Sequence, residues 1–528
     1  MIRKQWVLIL AFNALIAVGF YVSNLGAGYE RLSSDLHNIV PMCQKFDDVS
    51  LFKGDVFAGD TANFKYYTPF FITKLRALAW INGGDYVAAI NMWLAGMHLL
   101  FGLGWFLLAF RLLNKQFWPA FFISILLRGI VWLPGSEIWG ISNIWSLMPR
   151  TVYIGLLPFA LLLLFTDNKR WILLGGFLIG LLFNFHPITG LGGILLYYTL
   201  LFCLKWIFKQ NISWFSILLQ FMFTILGMLP FVITYFGKTE LAMDYNIQEY
   251  QEAFSARIPS YFLDTQRFLA KWMQAKFLFY MLPLVMYLLY GWLLKGVHLK
   301  RALTICLLTL VLIVFPTLSV PIEQWLNDTL GSNLRMAFQL IRIQKLAVLP
   351  AYFAIGFLLL QVTSHFRSLK KWLPLGVFFY VILGVVSASG GLKSIPFISD
   401  DITKEIYPDV KSIADGSAYM RSDFDKMSVF VQNNTSKDAI LYASFMYRSS
   451  TKRAVVLDKK GASILIEGNP KKLIAWHKER KEFQPLSIEE QLLFLKQKGV
   501  KYIITEEDEY TAWLVPIHKE GNVKLYRI

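Results

Sequence analysis

The sequence predicts a polytopic α-helical membrane protein that carries a small α/β domain at its C-terminal end. Three observations predict it. The 528 residues are 56% hydrophobic and 16% aromatic but only 16% charged, well under the roughly 25% of an ordinary soluble domain. Apolar runs of about 20 residues recur through the first three quarters of the chain, each long enough to cross roughly 30 Å of hydrocarbon. From about Gly391 the charges return every few residues, and helical and strand periodicities alternate, the pattern of a mixed α/β fold.

Breaking the apolar runs at charge clusters gives about eleven membrane helices, near 6–24, 86–110, 117–134, 150–166, 171–185, 188–205, 212–236, 275–294, 302–320, 343–363 and 372–390. The first follows Arg3 and Lys4, as in a signal peptide, but its apolar run is longer than an ordinary h-region and reads as an uncleaved helix. Every second short loop is basic, carrying Arg111 and Lys115, Lys169 and Arg170, Lys205 and Lys209, Lys295 to Arg301, and Arg367 to Lys371. Segments 135–149 and 185–190 between them hold no Lys or Arg until Arg150 opens the fourth helix. That alternation predicts a cytoplasmic N-terminus and an extracytoplasmic tail, with the net charge of +17 explained by insertion rather than by nucleic acid. The expected organisation is a membrane domain over 1–390, with outer loops 25–75, 237–274 and 321–342, and an extracytoplasmic domain over 391–528. Three cysteines, two of them in apolar runs, form neither a disulfide framework nor a zinc pattern.

Within the tail, a helix is expected near 421–432, strands near 439–443 and 453–457, helices near 469–481 and 487–498, and strands near 501–505, 513–518 and 523–527. It holds no phosphate-binding glycine motif.

Chemistry is sought first in loop 25–75, where Asp35, Asp47, Asp48 and Asp55 crowd into an otherwise apolar chain. A carboxylate beside a membrane is costly unless something pairs with it or uses it. Asp35 could act as general base on an acceptor hydroxyl, or cap a helix; Asp48 and Asp55 are catalytic candidates of the same kind or turn caps around Lys53-Gly54. Two of these aspartates could hold a divalent magnesium or manganese ion. Outer-face cations are the second set, because insertion does not explain them. Arg150 opens the fourth helix after Pro149, Arg342 opens the tenth and Lys345 follows it; guanidinium matches phosphate oxygens bidentately, although it also snorkels to lipid headgroups. His186, in His186-Pro-Ile-Thr-Gly190, could bond a phosphate or simply precede a turn. His37, Glu137 and Asn143 are candidates for substrate binding.

Taken together, the first helix, the aspartate-bearing loop, about eleven spans and the outer α/β domain resemble the polytopic membrane glycosyltransferases of the GT-C class. More narrowly, Asp35-Leu-His37, Leu51-Phe-Lys-Gly-Asp55, Pro149-Arg150, His186-Pro-Ile-Thr-Gly190 and Arg342 look like a set found in bacterial members. The resemblance implies a polyprenyl-phosphate-linked sugar donor, an extracytoplasmic glycan, lipid or protein acceptor, and inversion in one displacement. It further implies that Asp35 takes the acceptor proton while Arg342 or Arg150 stabilises the departing phosphate. The clean Asp-Glu or Asp-x-Asp pair of some branches is missing. A transporter or flippase of a lipid-linked saccharide is the competing reading, and a non-catalytic scaffold the third. Against transport, the halves of the chain show no repeat, and few ionisable residues lie deep in the apolar runs, Arg128 being the main exception.

Overall fold

The structure, a computed structural model, describes residues 3–33, 35–65, 69–128, 147–166, 168–237, 245–258, 264–272, 275–331, 334–392, 395 and 398–528. The chain divides into two compact units. One comprises Met1–Asn24, Asn91–Phe231 and Tyr261–Ser417; the other comprises Leu25–Ile90, Val232–Ser260 and Ala418–Ile528.

The first unit is a helical membrane assembly. Among the described residues of the chain, seven helices are long and apolar enough to span a bilayer: Arg3–Ser23, Tyr86–Leu112, Pro187–Trp206, Trp214–Phe236, Val297–Leu330, Ala337–His365 and Ser368–Ala388. Four shorter apolar helices accompany them, Phe117–Leu126, Pro149–Leu163, Arg170–Phe183 and Met281–Leu293. Each of these coincides with one of the expected spans. Lipid supplies no hydrophobic drive between helices, so close packing and buried hydrogen bonds must hold them. Gly176 and Gly180, one turn apart, do the first: the Gln220 and Thr224 backbones of the next-but-one helix lie directly against them, where a Cβ would collide. Thr224 adds a hydrogen bond from Oγ1 to the Gly176 carbonyl, 2.8 Å.

The same interface repairs a helix break. Pro230 lies inside Trp214–Phe236 and disturbs its ladder. Asn184 inserts its amide there, donating from Nδ2 to the Gly227 carbonyl at 2.8 Å and accepting from the Phe231 N–H at 2.7 Å. Where backbone cannot reach water, such a side chain must close the circuit. Deeper still, fully buried Arg128 bonds the Asn13 side-chain oxygen and the His98 carbonyl, while Phe20 stacks on the His98 ring.

The second unit is built on a five-stranded mixed sheet. Its strands are β1 (Ile440–Tyr442), β2 (Ala454–Val455), β3 (Val500–Thr505), β4 (Pro516–Glu520) and β5 (Val523–Arg527). Their order is β2-β1-β3-β5-β4, parallel from β2 to β3 and antiparallel through β5 and β4. Side chains alternate across a strand, so β3 and β5 feed two cores. Ile504, Val523 and Leu525 pack with Phe424, Met427 and Val431 of helix Asp423–Asn434. Val500, Ile503 and Tyr526 pack with Phe483, Phe494 and Leu495 of helices Pro470–Phe483 and Ile488–Gln497. The three expected helices and five expected strands are present within a few residues, and the helices Met446–Thr451 and Ala462–Gly468, which the periodicities did not give, lie between them. The early polar segment joins this unit: helix Leu36–Asp47, read from sequence as part of a loop, is buried over most of its length and packs on helix Met446–Thr451.

Candidate functional site

Three carboxylates singled out from sequence go to three different places within the second unit. Asp35 sits just before helix Leu36–Asp47 without capping it, and its Oδ1 lies 2.6 Å from Lys460 Nζ. The carboxylate stays about one third exposed, at 34%. Asp48 ends the same helix at the surface and accepts from the Ser50 hydroxyl and N–H at 2.6 and 2.9 Å; those bonds hold its carboxyl below the usual range. It is a turn cap.

Asp55 is enclosed. Its Oδ2 accepts from Arg448 Nε at 2.6 Å and the Val455 N–H at 3.0 Å, and its Oδ1 from the N–H groups of Phe57 and Ala58. Arg448 is itself fully buried, bonds Asp458 through Nη2 and lies 5.0 Å from the Phe57 ring centre. Burial acts to lower the Arg448 pKa, but the two carboxylates outweigh it and raise it. With every lone-pair direction in use and no solvent contact, Asp55 is closed to an acceptor hydroxyl; the catalytic expectation for this residue is corrected to a structural one.

His37 is corrected in the same way. Its ring is wholly buried, with Nδ1 2.8 Å from Ser449 Oγ. Ser449 Oγ also lies 3.0 Å from the Met446 carbonyl. Burial, aided by the charge of Lys460, lowers the His37 pKa to about 3, and the ring is neutral. Asn38 and Gln44 extend the same seam, donating to the Lys460 and Ser449 carbonyls at 3.1 and 2.9 Å. Lys460 and Arg448 were invisible as partners in the sequence because they lie about 400 residues from the acids they meet.

The cations lie in the first unit. Helices Pro149–Leu163, Lys169–Phe183 and Pro187–Trp206 are consecutive and pack side by side, so the first and third run the same way. Each begins with proline in its first turn, where the missing N–H is no loss. Arg150 is buried in the first turn of one, with Nη2 3.4 Å from Met148 Sδ. His186 caps the other, its Nδ1 accepting from the Thr189 N–H at 3.1 Å. Tyr153 packs on Gly193, and Ile343 and Leu346 pack on Gly192. These contacts bring Arg150, His186, Arg342 and Lys345 to one end of the three packed elements. Arg342 and Lys345 sit in a 3₁₀ stretch, Ile341–Ala347, inside an otherwise α-helical run, a geometry that often marks a functional segment. Glu323 accepts the N–H groups of Met336 and Ala337 at the head of that run, and Gln344 reaches the Ile313 carbonyl beside Pro316. Glu137 and Asn143 lie outside the described residues.

Among the described residues, no three His, Cys, Asp or Glu side chains gather as a metal site would need. Asp35, Asp48 and Asp55 turn to Lys460, Ser50 and Arg448, and Asp47 to Arg76.

No family model matches the sequence, and no curated protein matches it either. Comparison of structures does find likenesses. The crystal structure of ArnT from Cupriavidus metallidurans bound to undecaprenyl phosphate superimposes with a TM-score of 0.52 at 11% identity, covering 99% of this chain and 98% of that one. The fold is ArnT-like. The apo structure of the same ArnT gives a TM-score of 0.49 at 11% identity, over 100% and 98% of the two chains. The ArnT-like fold bears out a multi-pass architecture of the GT-C type with its C-terminal mixed sheet. At this identity it speaks for the fold and leaves residue roles to the chemistry.

Proposed function

We propose that the protein is a GT-C-type membrane glycosyltransferase, moving a sugar from a polyprenyl-phosphate-linked donor to a glycan, lipid or protein acceptor on the extracytoplasmic side. One observation carries the proposal: the chain shares its fold end to end with a protein whose structure was solved with undecaprenyl phosphate. The gathering of Arg150, Arg342, Lys345 and His186 at one end of three packed elements supports it, since two guanidinium groups suit phosphate oxygens.

In this reading the acceptor hydroxyl attacks the anomeric carbon while its proton passes to Asp35. The new oxygen–carbon bond forms as the bond to phosphate breaks, inverting the centre, and polyprenyl phosphate leaves with the bonding pair. Stabilisation of the charge on a departing phosphate is often the largest catalytic contribution. One base suffices, because the phosphate departs without needing a proton. Asp35 is assigned this role because its carboxylate is about one third exposed beside Lys460, whereas Asp55 is enclosed by Arg448 and backbone N–H groups and Asp48 holds the Ser50 turn.

The test uses purified full-length protein with labelled polyprenyl-phosphate sugar. Asp35→Asn should lower turnover by about 10²–10⁴-fold, the usual worth of a general base, while polyprenyl phosphate still binds. Lys460→Gln breaks the same ion pair but keeps the carboxylate, and should retain most of the turnover. Unchanged turnover in Asp35→Asn removes the base assignment. Lipid-linked sugar crossing the bilayer without any transfer to an acceptor favours a flippase.

A further inference from the structure

Within the first unit, a cavity of about 520 Å³ opens among the helix ends that carry basic loops. Its size is that of an ordinary ligand site, roughly 300–1,000 Å³. The deep wall is apolar, formed by Trp105, Leu161, Leu196, Leu200, Leu308 and Pro350. Lining residues run over 105–112, 196–204, 301–308 and 349–357, which at 1.5 Å rise per residue gives a depth of about 10–12 Å. The polar part of the lining is Arg111, Arg301, Thr166, Gln210 and Asn211, with Thr304 one turn below Arg301. These belong to the end of the bundle opposite Arg150 and His186, separated from them by the length of helix Pro187–Trp206, about 30 Å.

The two arginines decide the occupant. Arg111 donates from Nη2 to the Phe165 carbonyl at 2.7 Å, and Arg301 from Nη2 to Asn114 Oδ1 at 2.9 Å, with its guanidinium 4.9 Å from the Phe357 ring centre. All those partners are neutral, and each guanidinium has five N–H groups to offer. Neither arginine is ion-paired among the described residues. The loops at this end, 111–116, 166–170, 205–213 and 295–301, hold nine Lys and Arg and one acid, Asp167, which lies outside the described residues. An apolar slot one acyl segment deep, with two cations at its rim and a basic surface around it, is complementary to a lipid carrying a net negative headgroup.

We propose that this cavity holds one anionic phospholipid from the leaflet on the basic-loop side, its acyl chain among the helices and its phosphate between Arg111 and Arg301. The site is separate from the donor-phosphate set, and its test does not depend on transfer activity. Delipidated full-length protein in detergent is titrated with dioleoyl phosphatidylglycerol, dioleoyl phosphatidylcholine and glycerol 3-phosphate, with bound lipid read by native mass spectrometry and unfolding temperature by fluorescence. One phosphatidylglycerol should bind at least tenfold more tightly than phosphatidylcholine and raise the unfolding temperature, and millimolar glycerol 3-phosphate should not displace it. Arg111→Gln with Arg301→Gln should bring phosphatidylglycerol down to the phosphatidylcholine level. Leu200→Trp, which fills the slot and keeps both arginines, should remove the bound lipid of either kind. The proposal is overturned if Lys370→Gln with Lys371→Gln, on a basic segment outside the cavity, weakens binding as much as the arginine pair. Full lipid occupancy in Leu200→Trp, or displacement by glycerol 3-phosphate, overturns it equally.

Discussion

Each unit buries a whole arginine, and the two are treated in opposite ways. Arg448 in the second unit is clasped by Asp55 and Asp458, so its charge is matched and its partners are charged as well. Arg128 in the first unit meets the Asn13 side-chain oxygen, the His98 carbonyl and, at 3.2 Å, the His98 Nδ1, and no carboxylate among the described residues. Breaking a buried ion pair strands a charge, which is where the cost arises. Removing Arg128 strands only neutral groups among the described residues. The comparison teaches that burial alone does not measure what a charged residue contributes; what is left behind after its removal does.

The largest effect should therefore come from Arg448→Met, which leaves two enclosed carboxylates and should destabilise the second unit by about 3–5 kcal/mol, read as earlier proteolysis and unfolding of the full-length protein. Adding Asp55→Asn and Asp458→Asn removes the two stranded charges and keeps an oxygen for the backbone N–H groups that each accepts, and should recover part of that loss; failure to recover any would break the argument. Next is acid. The His37 pKa is lowered on folding from 6.5 to about 3, so the unfolded chain binds the extra proton as pH drops through that window. Its contribution is intact above about pH 6.5 and is lost progressively toward pH 3. By pH 5 the loss is about 2 kcal/mol, and His37→Gln should flatten that part of the pH–stability curve. Asn184→Leu, which reopens the ladder at Pro230 with a buried carbonyl and N–H unsatisfied, should cost about 1–3 kcal/mol. Last, Arg128→Met leaves the buried Asn13 oxygen and His98 Nδ1 without their donor and should also cost about 1–3 kcal/mol; a loss as large as that of Arg448→Met would erase the contrast between the units.

The features legible in the sequence were those written over many consecutive residues. Spans such as 86–110 and 188–205 emerge from hydropathy because a lipid-facing helix cannot hide polar residues, and they match Tyr86–Leu112 and Pro187–Trp206 within a turn. Strand β3 is readable because Val500, Ile503 and Ile504 must serve a sheet buried on both faces. Helix Leu36–Asp47 escaped because Pro41 and its mixed polar composition look like a loop. Its burial depends on the tail, and no local pattern announces a partner hundreds of residues away. The same blindness made Asp55 look like a catalyst: a carboxylate reserved for a distant arginine and one reserved for a substrate are identical in a single sequence. The 3₁₀ stretch around Arg342 was likewise unreadable, since an apolar run does not reveal which hydrogen-bond pitch it adopts.

The union of an early segment with the tail has a consequence for synthesis. Asp55 is made 393 residues before Arg448, which at about 5–20 residues per second amounts to roughly 20–80 s. Throughout that interval helix 36–47 lacks the Met446–Thr451 helix on which it packs, and Asp55 lacks Arg448, although Asp47 already has Arg76. A ribosome that stops anywhere before Arg448 releases a chain whose first polar segment cannot close, and this gives quality-control proteases a simple way to recognise incomplete copies.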